Sequence, residues 1–196
     1  MQFEAKAGRD LHTLARFDIT RSRAALGGSL ARFEGASALA EVMLRVATDD
    51  GTPADAFDAL QAGLDAIATD ADATVAAVRA TWRLLGAIGF TPALEACVEC
   101  GLVLPAELDV SFSAESGGVL CPGCAGRVPS RRLPASARAT LSAWLGRLDG
   151  GAEPEPSVLD ALIVRAHQRL LRIFVHAHLS DGRPLRAFDT WTTGEG

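Results

Sequence analysis

Apolar residues recur at steps of three and four along most of this chain, the spacing that places side chains on one face of an α-helix. Five stretches follow the pattern, and the apolar face of each predicts its buried side. The first three are residues 29–47 with Leu30, Phe33, Ala40 and Leu44; a helix capped by Thr52 and Pro53 with Phe57, Leu60, Leu64 and Ile67; and one with Val75, Val78, Trp82 and Leu85 that ends near Gly86 and Gly89. The last two are residues 136–148 with Leu141, Trp144 and Leu145, and residues 157–179 with Leu159, Leu162, Ala166, Leu170, Ile173, Phe174 and Ala177.

Alternation of apolar and polar residues, which is typical of a β-strand with one exposed side, is confined to two places. It occurs in DVSFS, residues 109–113, and more weakly within the first two dozen residues. The turn-rich stretches VPSRRLP and DGGAEPEP separate the later helices. The sequence therefore predicts a mainly α fold, with a short β segment over residues 1–24 and a helical bundle domain over residues 25–196.

All four cysteines of the chain lie in one short region, as the pairs Cys97/Cys100 and Cys121/Cys124. Two C-x2-C pairs separated by twenty residues are typical of a four-thiolate zinc site, in which each pair forms a tight turn. Four protein ligands leave no open position for water. The sequence therefore predicts one structural zinc, held by a module inserted in the helical domain at about residues 96–127.

Two other interpretations of the cysteines stay open. Two disulfides would need an oxidising compartment, but the opening MQFEAKAGRDLHTL lacks the basic region and apolar run of a signal peptide, so we expect the cytoplasm. A thiol oxidoreductase would need one C-x-x-C near a βαβ pattern, whereas two pairs lie here in helical surroundings. No apolar run reaches the eighteen residues of a membrane span, so we expect no membrane partner.

Charge is distributed unevenly along the chain, whose net charge is −5. Residues 49–78 contain seven Asp and no Lys or Arg, whereas residues 125–196 contain ten Arg against seven acidic residues. Any anionic partner should therefore meet the C-terminal part. There, Arg165, Arg169, Arg172 and His176 follow each other at helical steps and share one face.

This arginine stripe has two interpretations. It could bind phosphates or an acidic peptide tail, since the guanidinium fork matches their oxygens, or it could be a solvated helix face. Arg183 and Arg186 could extend it. His176 and His178 are two residues apart on a helix and point in different directions, so they are not a chelating pair. No nucleophile elbow, Walker loop or paired-carboxylate motif occurs, so the sequence does not predict an enzyme.

Three stretches together resemble the RecO family of bacterial recombinational-repair mediators. GRDLHTLARFDITRSR resembles the end of that family's N-terminal OB domain, and HLSDGRPLRAF resembles its C-terminal signature. WRLLGAIGFTPALEACVECG with FSAESGGVLCPGCA resembles its helix and zinc module. The resemblance implies that residues 1–24 are a remnant of OB strands, because some two dozen residues cannot form a five-stranded barrel. Either the start codon is misassigned or most of that domain has been lost.

The resemblance also implies a function. It suggests a nucleoid-associated protein of the bacterial cytoplasm that binds single-stranded DNA, with double-stranded DNA as a second candidate ligand, and anneals strands. It would act with RecR and with the acidic C-terminal tail of the single-stranded-DNA-binding protein to help load RecA. By the same resemblance the four cysteines match zinc ligands, and Arg79, Arg183 and Arg186 match basic positions. The alternative is a zinc-stabilised helical adaptor that binds only protein.

Overall fold

The computed structural model describes residues 2–4, 8, 13–19, 21–47, 54–146, 161–180 and 182–193. The fold is mainly α, as predicted. In chain order the elements are β1 (Gln2–Glu4), β2 (Thr13–Arg16), a 3₁₀ helix (Ala24–Gly28), α1 (Leu30–Val46), α2 (Ala54–Thr69), α3 (Ala73–Ala87), β3 (Val110–Ser113), β4 (Gly118–Leu120), α4 (Pro122–Ala125), β5 (Arg131–Leu133), α5 (Ala135–Leu145), α6 (Ala161–Leu179) and α7 (Arg186–Thr193).

The helical body is built around α1 and α3. Helix α1 packs against α2, α3 and α7, and α3 also packs against α5 and α6. Two glycines allow the close approach of the helices: a Cβ on Gly35 would lie 2.7 Å from the Cβ of Ala77, and one on Gly63 would lie 2.8 Å from the Cβ of Ala80. The Asp72 side chain caps α3 by accepting from the backbone N–H groups of its first turn.

The predicted apolar face of α1 is wrong, although the helix itself is confirmed. Leu30, Phe33 and Leu44 are 67%, 60% and 75% exposed. Half of the buried residues are glycine or alanine, because the neighbouring helices approach the α1 backbone closely there. Its members are Gly35, Ala36, Ala38, Leu39, Val42 and Met43.

The apolar faces predicted for the next helices hold better. Phe57 of α2 is exposed, which contradicts the prediction, while Leu60 and Leu64 are half-buried and Ile67 is buried. On α3 and α5 the large apolar residues are in the core. Buried there are Val78, Trp82, Leu85, Leu141 and Trp144. The predicted cap residues Thr52 and Pro53 lie outside the described residues.

Helix α6 carries two apolar stripes. The core contains Phe174, as predicted, together with Val164, Leu171, Val175 and Leu179. The other predicted core positions that the structure describes form a second stripe beside the first: Leu162, Ala166 and Ala177 are exposed, and Leu170 and Ile173 are half-buried. The prediction of core positions is therefore wrong for the three exposed residues and partly right for the two half-buried ones. The sequence cannot show which of two adjacent stripes is covered. Residues 157–160, predicted as the first turn, lie outside the described residues.

The cysteine-containing module is built on a three-stranded antiparallel sheet in the order β4-β3-β5. Strand β3 forms from the predicted alternating stretch. Phe112 of β3 faces Val119 of β4 and Arg131 of β5 in register. Strand β4 leads directly into Cys121, while β5 forms an edge of the sheet and leads into α5.

Aromatic packing joins the module to the helical body. The Phe174 ring of α6 lies 5.1 Å from that of Trp82 on α3 and 6.2 Å from that of Phe112 on β3, measured between centroids. All three residues are at least 98% buried. The sheet and the helices therefore share one apolar core rather than forming two separate ones.

The N-terminal strands β1 and β2 pair with each other in an antiparallel hairpin. The chain then meets the helical body through Arg21 and Arg23, which both bind Asp65 of α2; the Arg23 Nε–Asp65 Oδ1 distance is 2.8 Å. Phe17 and Ile19, which lie between β2 and Arg21, are exposed. The boundary at residue 24 and the assignment to an OB domain stay predictions. Among the described helices, none is long and apolar enough to cross a membrane.

Candidate metal centre and adjacent groove

The first cysteine pair lies on a tight turn that two backbone hydrogen bonds close. The N–H of Cys97 donates to the carbonyl oxygen of Leu102 at 2.8 Å, and the N–H of Gly101 donates to that of Cys97 at 2.8 Å. Gly101 has a φ of 74°, a conformation that favours glycine. This turn directs both sulfurs of the pair to the same side, as the C-x2-C spacing predicts.

The second pair lies at the start of the short helix α4. Cys121 precedes Pro122, which occupies the first helical position, and the N–H of Cys124 donates to the carbonyl oxygen of Cys121 at 3.0 Å. Proline suits this position because its fixed φ is already helical and its missing N–H would have no partner there. The two turns therefore use different local structures to present the same kind of sulfur pair.

The structure brings all four predicted cysteines together. Their sulfurs lie within 4.8 Å of one another, and those of Cys100 and Cys121 are 3.8 Å apart. Zinc with sulfur ligands at about 2.3 Å in a tetrahedron would hold its sulfurs about 3.8 Å apart. Cys97, Cys121 and Cys124 are buried and Cys100 is exposed. The donor set and its spacing fit a four-thiolate site for one zinc ion.

Backbone groups already favour a thiolate within this cluster. The N–H of Cys121 is the main group that lowers the pKa of Cys97, to about 6, against the opposing effect of burial. A hydrogen bond with the Cys121 thiol and burial raise the pKa of Cys124 to about 12. The N–H of Leu102 lowers the pKa of Cys100, but the thiols of Cys97 and Cys121 outweigh it, so that pKa is raised. Crowded sulfurs of this kind give up their protons when a metal binds.

Backbone hydrogen bonds, and the lack of a side chain at Gly118, hold the segment before the first cysteine turn against β4. The N–H of Val119 donates to the carbonyl oxygen of Ala93 at 2.9 Å, and the N–H of Val98 donates to that of Val119 at 2.9 Å. A Cβ on Gly118 would lie only 2.4 Å from the Ala93 oxygen. The segment before the first turn therefore lies directly against β4, which carries the second pair.

A groove runs beside the module, between α6 on one side and β5 with α5 on the other. This α5–α6 groove has a volume of about 390 Å³. Ile163, Ala166, Leu170 and Ile173 of α6 form one wall. Leu133, Pro134 and Ala137 form the other. Three arginines lie along it, Arg131, Arg132 and Arg169, and the described residues that line it include no acidic one. It is therefore apolar inside and cationic at its rim.

A buried histidine lies in this groove. His167 is 1% exposed, its ring packs on Trp144 at 4.7 Å between centroids, and neither ring nitrogen has a hydrogen-bond partner among the described residues. Burial lowers its pKa to about 4, so the ring is neutral at pH 7. A neutral imidazole carries one donor and one acceptor, and here both ring nitrogens are buried without a hydrogen bond to the described residues. Sequence reasoning finds no partner for His167 and assigns it no role, because the residues packed around it, such as Trp144, are distant in the chain.

Comparison with known proteins identifies the family. A family model described as "Recombination protein O C terminal" matches residues 28–186. A DNA repair protein RecO from Anaeromyxobacter sp. (strain K) is 37% identical over 187 residues, which cover 93% of this chain and 70% of that protein. The chain belongs to the RecO family. RecO proteins of Bifidobacterium longum subsp. infantis and Streptomyces griseus subsp. griseus are 32% and 31% identical, over 92% and 80% of this chain and 71% and 61% of their own lengths.

In this RecO-family chain an acidic residue of α7 contacts the C-terminal half of the predicted arginine stripe. Asp189 of α7 accepts from Arg172 Nε at 3.2 Å and lies 2.6 Å from His176 Nε2. Burial raises the pKa of Asp189, but the hydrogen bonds from His176 and Arg172 outweigh it and lower that pKa. Arg165 and Arg169 are exposed, and no ion pair involves them among the described residues. They are the part of the stripe whose charge is most available.

The other basic residues implied by the RecO resemblance lie elsewhere. Arg79 is half-buried and donates to Asp70 at 2.9 Å, which ties α3 to the end of α2. Arg183 and Arg186 are exposed around the start of α7, where the Arg183 carbonyl oxygen accepts from Arg45 of α1. Arg79 also lines a different groove, between α2 and α3, from the one beside Arg169. Their role in binding stays a prediction.

Proposed function

We propose that this chain is a recombinational DNA repair mediator that binds DNA and partner proteins and catalyses no reaction. Its partners would be RecR and the acidic C-terminal tail of the single-stranded-DNA-binding protein, and its role would be to assist RecA loading and strand annealing. Membership of the RecO family supports the repair role. The α5–α6 groove carries the finer proposal, because its chemistry suits an acidic peptide with apolar side chains.

Charge is the first argument for that ligand. Arg131 and Arg169 are exposed on opposite sides of the groove, and neither has an ion pair among the described residues. Arg132 is partly neutralised, because it binds Asp109. Guanidinium groups match carboxylates with two parallel hydrogen bonds, so acidic side chains or a terminal carboxylate would pair with them at the rim.

The shape of the groove is the second argument. Among the described strands β5 pairs with β3 alone, and its residues line the groove. An extended peptide can add to such an edge through backbone hydrogen bonds while its side chains enter apolar pockets. The wall from Ile163 to Ile173 spans ten helical steps, or about 15 Å, which matches roughly four to five extended residues. His167 would lie beneath the peptide as part of the groove floor.

The metal site would support this surface without reacting. Cys97, Cys100, Cys121 and Cys124 would hold one structural zinc, and the ion would supply folding free energy to the module that carries β5. Four thiolates leave no coordination position for a substrate. This closed site agrees with a protein that acts by binding.

A double substitution in the groove should weaken peptide binding strongly. Losing a charge-assisted hydrogen bond costs about 1 to 3 kcal/mol, so Arg131→Ala with Arg169→Ala should lower affinity for an acidic peptide with an apolar C-terminus at least tenfold. The measurement is fluorescence anisotropy with a labelled peptide. Arg127→Ala with Arg165→Ala is the matched control, since it removes two exposed arginines that do not line the groove. Equal weakening in both double variants would mean general electrostatic attraction and would refute the groove as the site.

Binding of single-stranded DNA should depend steeply on salt. Removing an arginine that pairs with a phosphate reduces the slope of log affinity against log salt by about 0.7, so Arg165→Ala with Arg169→Ala should flatten it by about 1.4. The measurement is a DNA titration at several salt concentrations. Arg132→Ala, whose guanidinium already binds Asp109, is the control and should change the slope little. If the parent chain shows no salt-dependent DNA binding, the adaptor interpretation replaces the mediator proposal.

A further inference from the structure

Helix α5 contributes a buried arginine to the base of the first cysteine turn. Arg138 is 5% exposed. Its Nε donates to the carbonyl oxygen of Leu94 at 2.6 Å, Nη1 to that of Pro105 at 2.7 Å, and Nη2 to that of Leu104 at 2.8 Å. All three nitrogens of the guanidinium are thus used on backbone oxygens, and no acidic side chain pairs with it among the described residues.

The positions of these oxygens are informative. Leu94 lies just before the first cysteine turn, and Leu104 and Pro105 lie just after it. The segments before and after the turn are also joined by a backbone hydrogen bond: the N–H of Leu104 donates to the carbonyl oxygen of Glu95 at 2.8 Å. Arg138 therefore holds both ends of the loop that carries Cys97 and Cys100. Only arginine has a planar fork with enough donors to reach three oxygens at once.

The second cysteine pair is positioned by a separate set of contacts. Cys121 follows β4, which is bonded to β3 within the sheet. The first turn and the segment before it contact this sheet through three backbone hydrogen bonds, which join Ala93 and Val98 to Gly117 and Val119 at one edge of β4. Fixing the first turn against α5 as well as against the sheet removes its freedom to hinge, so the two sulfur pairs stay within reach of one ion.

We propose that Arg138 is the positioning residue of the metal centre. It presets the first sulfur pair against the second and so raises metal affinity without touching the metal. The inference rests on the proposed zinc site. It concerns affinity, because an ion that must first order a mobile turn binds more weakly by the cost of that ordering.

Metal affinity of Arg138 variants tests this directly. Co²⁺ is titrated into the chain, and binding is followed by the thiolate charge-transfer absorption and the visible bands of a tetrahedral site; zinc affinity follows from competition with a chelator. Arg138→Met should weaken Co²⁺ and Zn²⁺ binding at least about tenfold, the effect typical of losing a group that orients metal ligands. Arg138→Lys, which keeps the charge but not the fork, should restore only part of the affinity.

Two controls separate positioning from general stability. Leu141→Ala removes a fully buried side chain from the same helix, so it should lower the melting temperature but leave metal affinity within twofold. Arg127→Met removes an exposed arginine near the second pair and should change neither. If Arg138→Met does not fold, the lysine variant decides alone.

The outcomes are distinct. Parental metal affinity in Arg138→Lys, or in a folded Arg138→Met, would overturn the positioning role and leave the zinc site intact. Equal weakening by Leu141→Ala would also overturn it, since the effect would then be general. If the parent chain binds neither Co²⁺ nor Zn²⁺, the zinc proposal fails and the inference fails with it.

Discussion

Replacing Cys97 with serine should abolish zinc binding and unfold the module around it. Cys97 is 2% exposed, and its sulfur belongs to the four-sulfur cluster. Structural zinc contributes about 10 to 16 kcal/mol of apparent binding free energy in small modules, and a three-ligand site retains only a small part of it. Elemental analysis should give one zinc per parent chain and almost none per Cys97→Ser chain. Amide exchange should then show reduced protection over residues 93–133.

Val103→Ala is the control for this experiment. Val103 lies on the same turn, is 74% exposed and offers no ligand atom. Its substitution should leave the zinc content at one per chain. The prediction fails if the serine variant keeps its zinc, or if non-reducing mass spectrometry of the parent finds two disulfides and no metal. The second result would favour the disulfide interpretation that the sequence leaves open.

Replacing Phe174 with alanine should cost about 3 to 5 kcal/mol of unfolding free energy. The ring is 2% exposed and lies between Trp82 of the helical body and Phe112 of the sheet, so its removal leaves a cavity where the two parts meet. Phe33→Ala is the matched control. Because that ring is 60% exposed, its removal should cost no more than about 0.5 kcal/mol. Denaturant unfolding at saturating zinc, followed by circular dichroism, measures both.

Comparing the two phenylalanines tests the structure against the sequence, because the hydropathy pattern predicts that both are in the core. Equal destabilisation by the two substitutions would mean that the outer face of α1 is covered in solution and that the described packing is incomplete. A destabilisation at Phe174 below about 1 kcal/mol would mean that the ring does not join the module to the body.

Periodicity is sufficient to predict the helices but not always their buried faces. The steps of three and four along α1 fit two faces equally well, and the larger side chains of Leu30 and Phe33 mark the wrong one. The buried face is set by Gly35 and its small neighbours, whose value lies in letting helix axes approach rather than in their own hydrophobicity. A single sequence shows side-chain size but not the distance between helices.

The cysteine cluster can be predicted because its information is local. Two turns with fixed spacing suffice to define the donor set, and the structure brings the four sulfurs together. Arg138 and Asp189 cannot be found in the same way. Their partners lie 33 to 44 residues before Arg138, and 13 and 17 residues before Asp189, in segments whose packing the sequence does not reveal. The pattern therefore places the arginine stripe correctly on one face of α6, while its partial neutralisation by α7 escapes prediction.

The edge of the sheet at β5 has a consequence for solubility. An open strand edge can pair with the same edge of another molecule and start aggregation. Strand β5 is only three residues long, two of them are arginines, and Pro134 follows it directly without an N–H to donate. Like charges would face each other if two such edges met, whereas an acidic strand would meet no repulsion. The same three residues that could accept a peptide therefore discourage self-association.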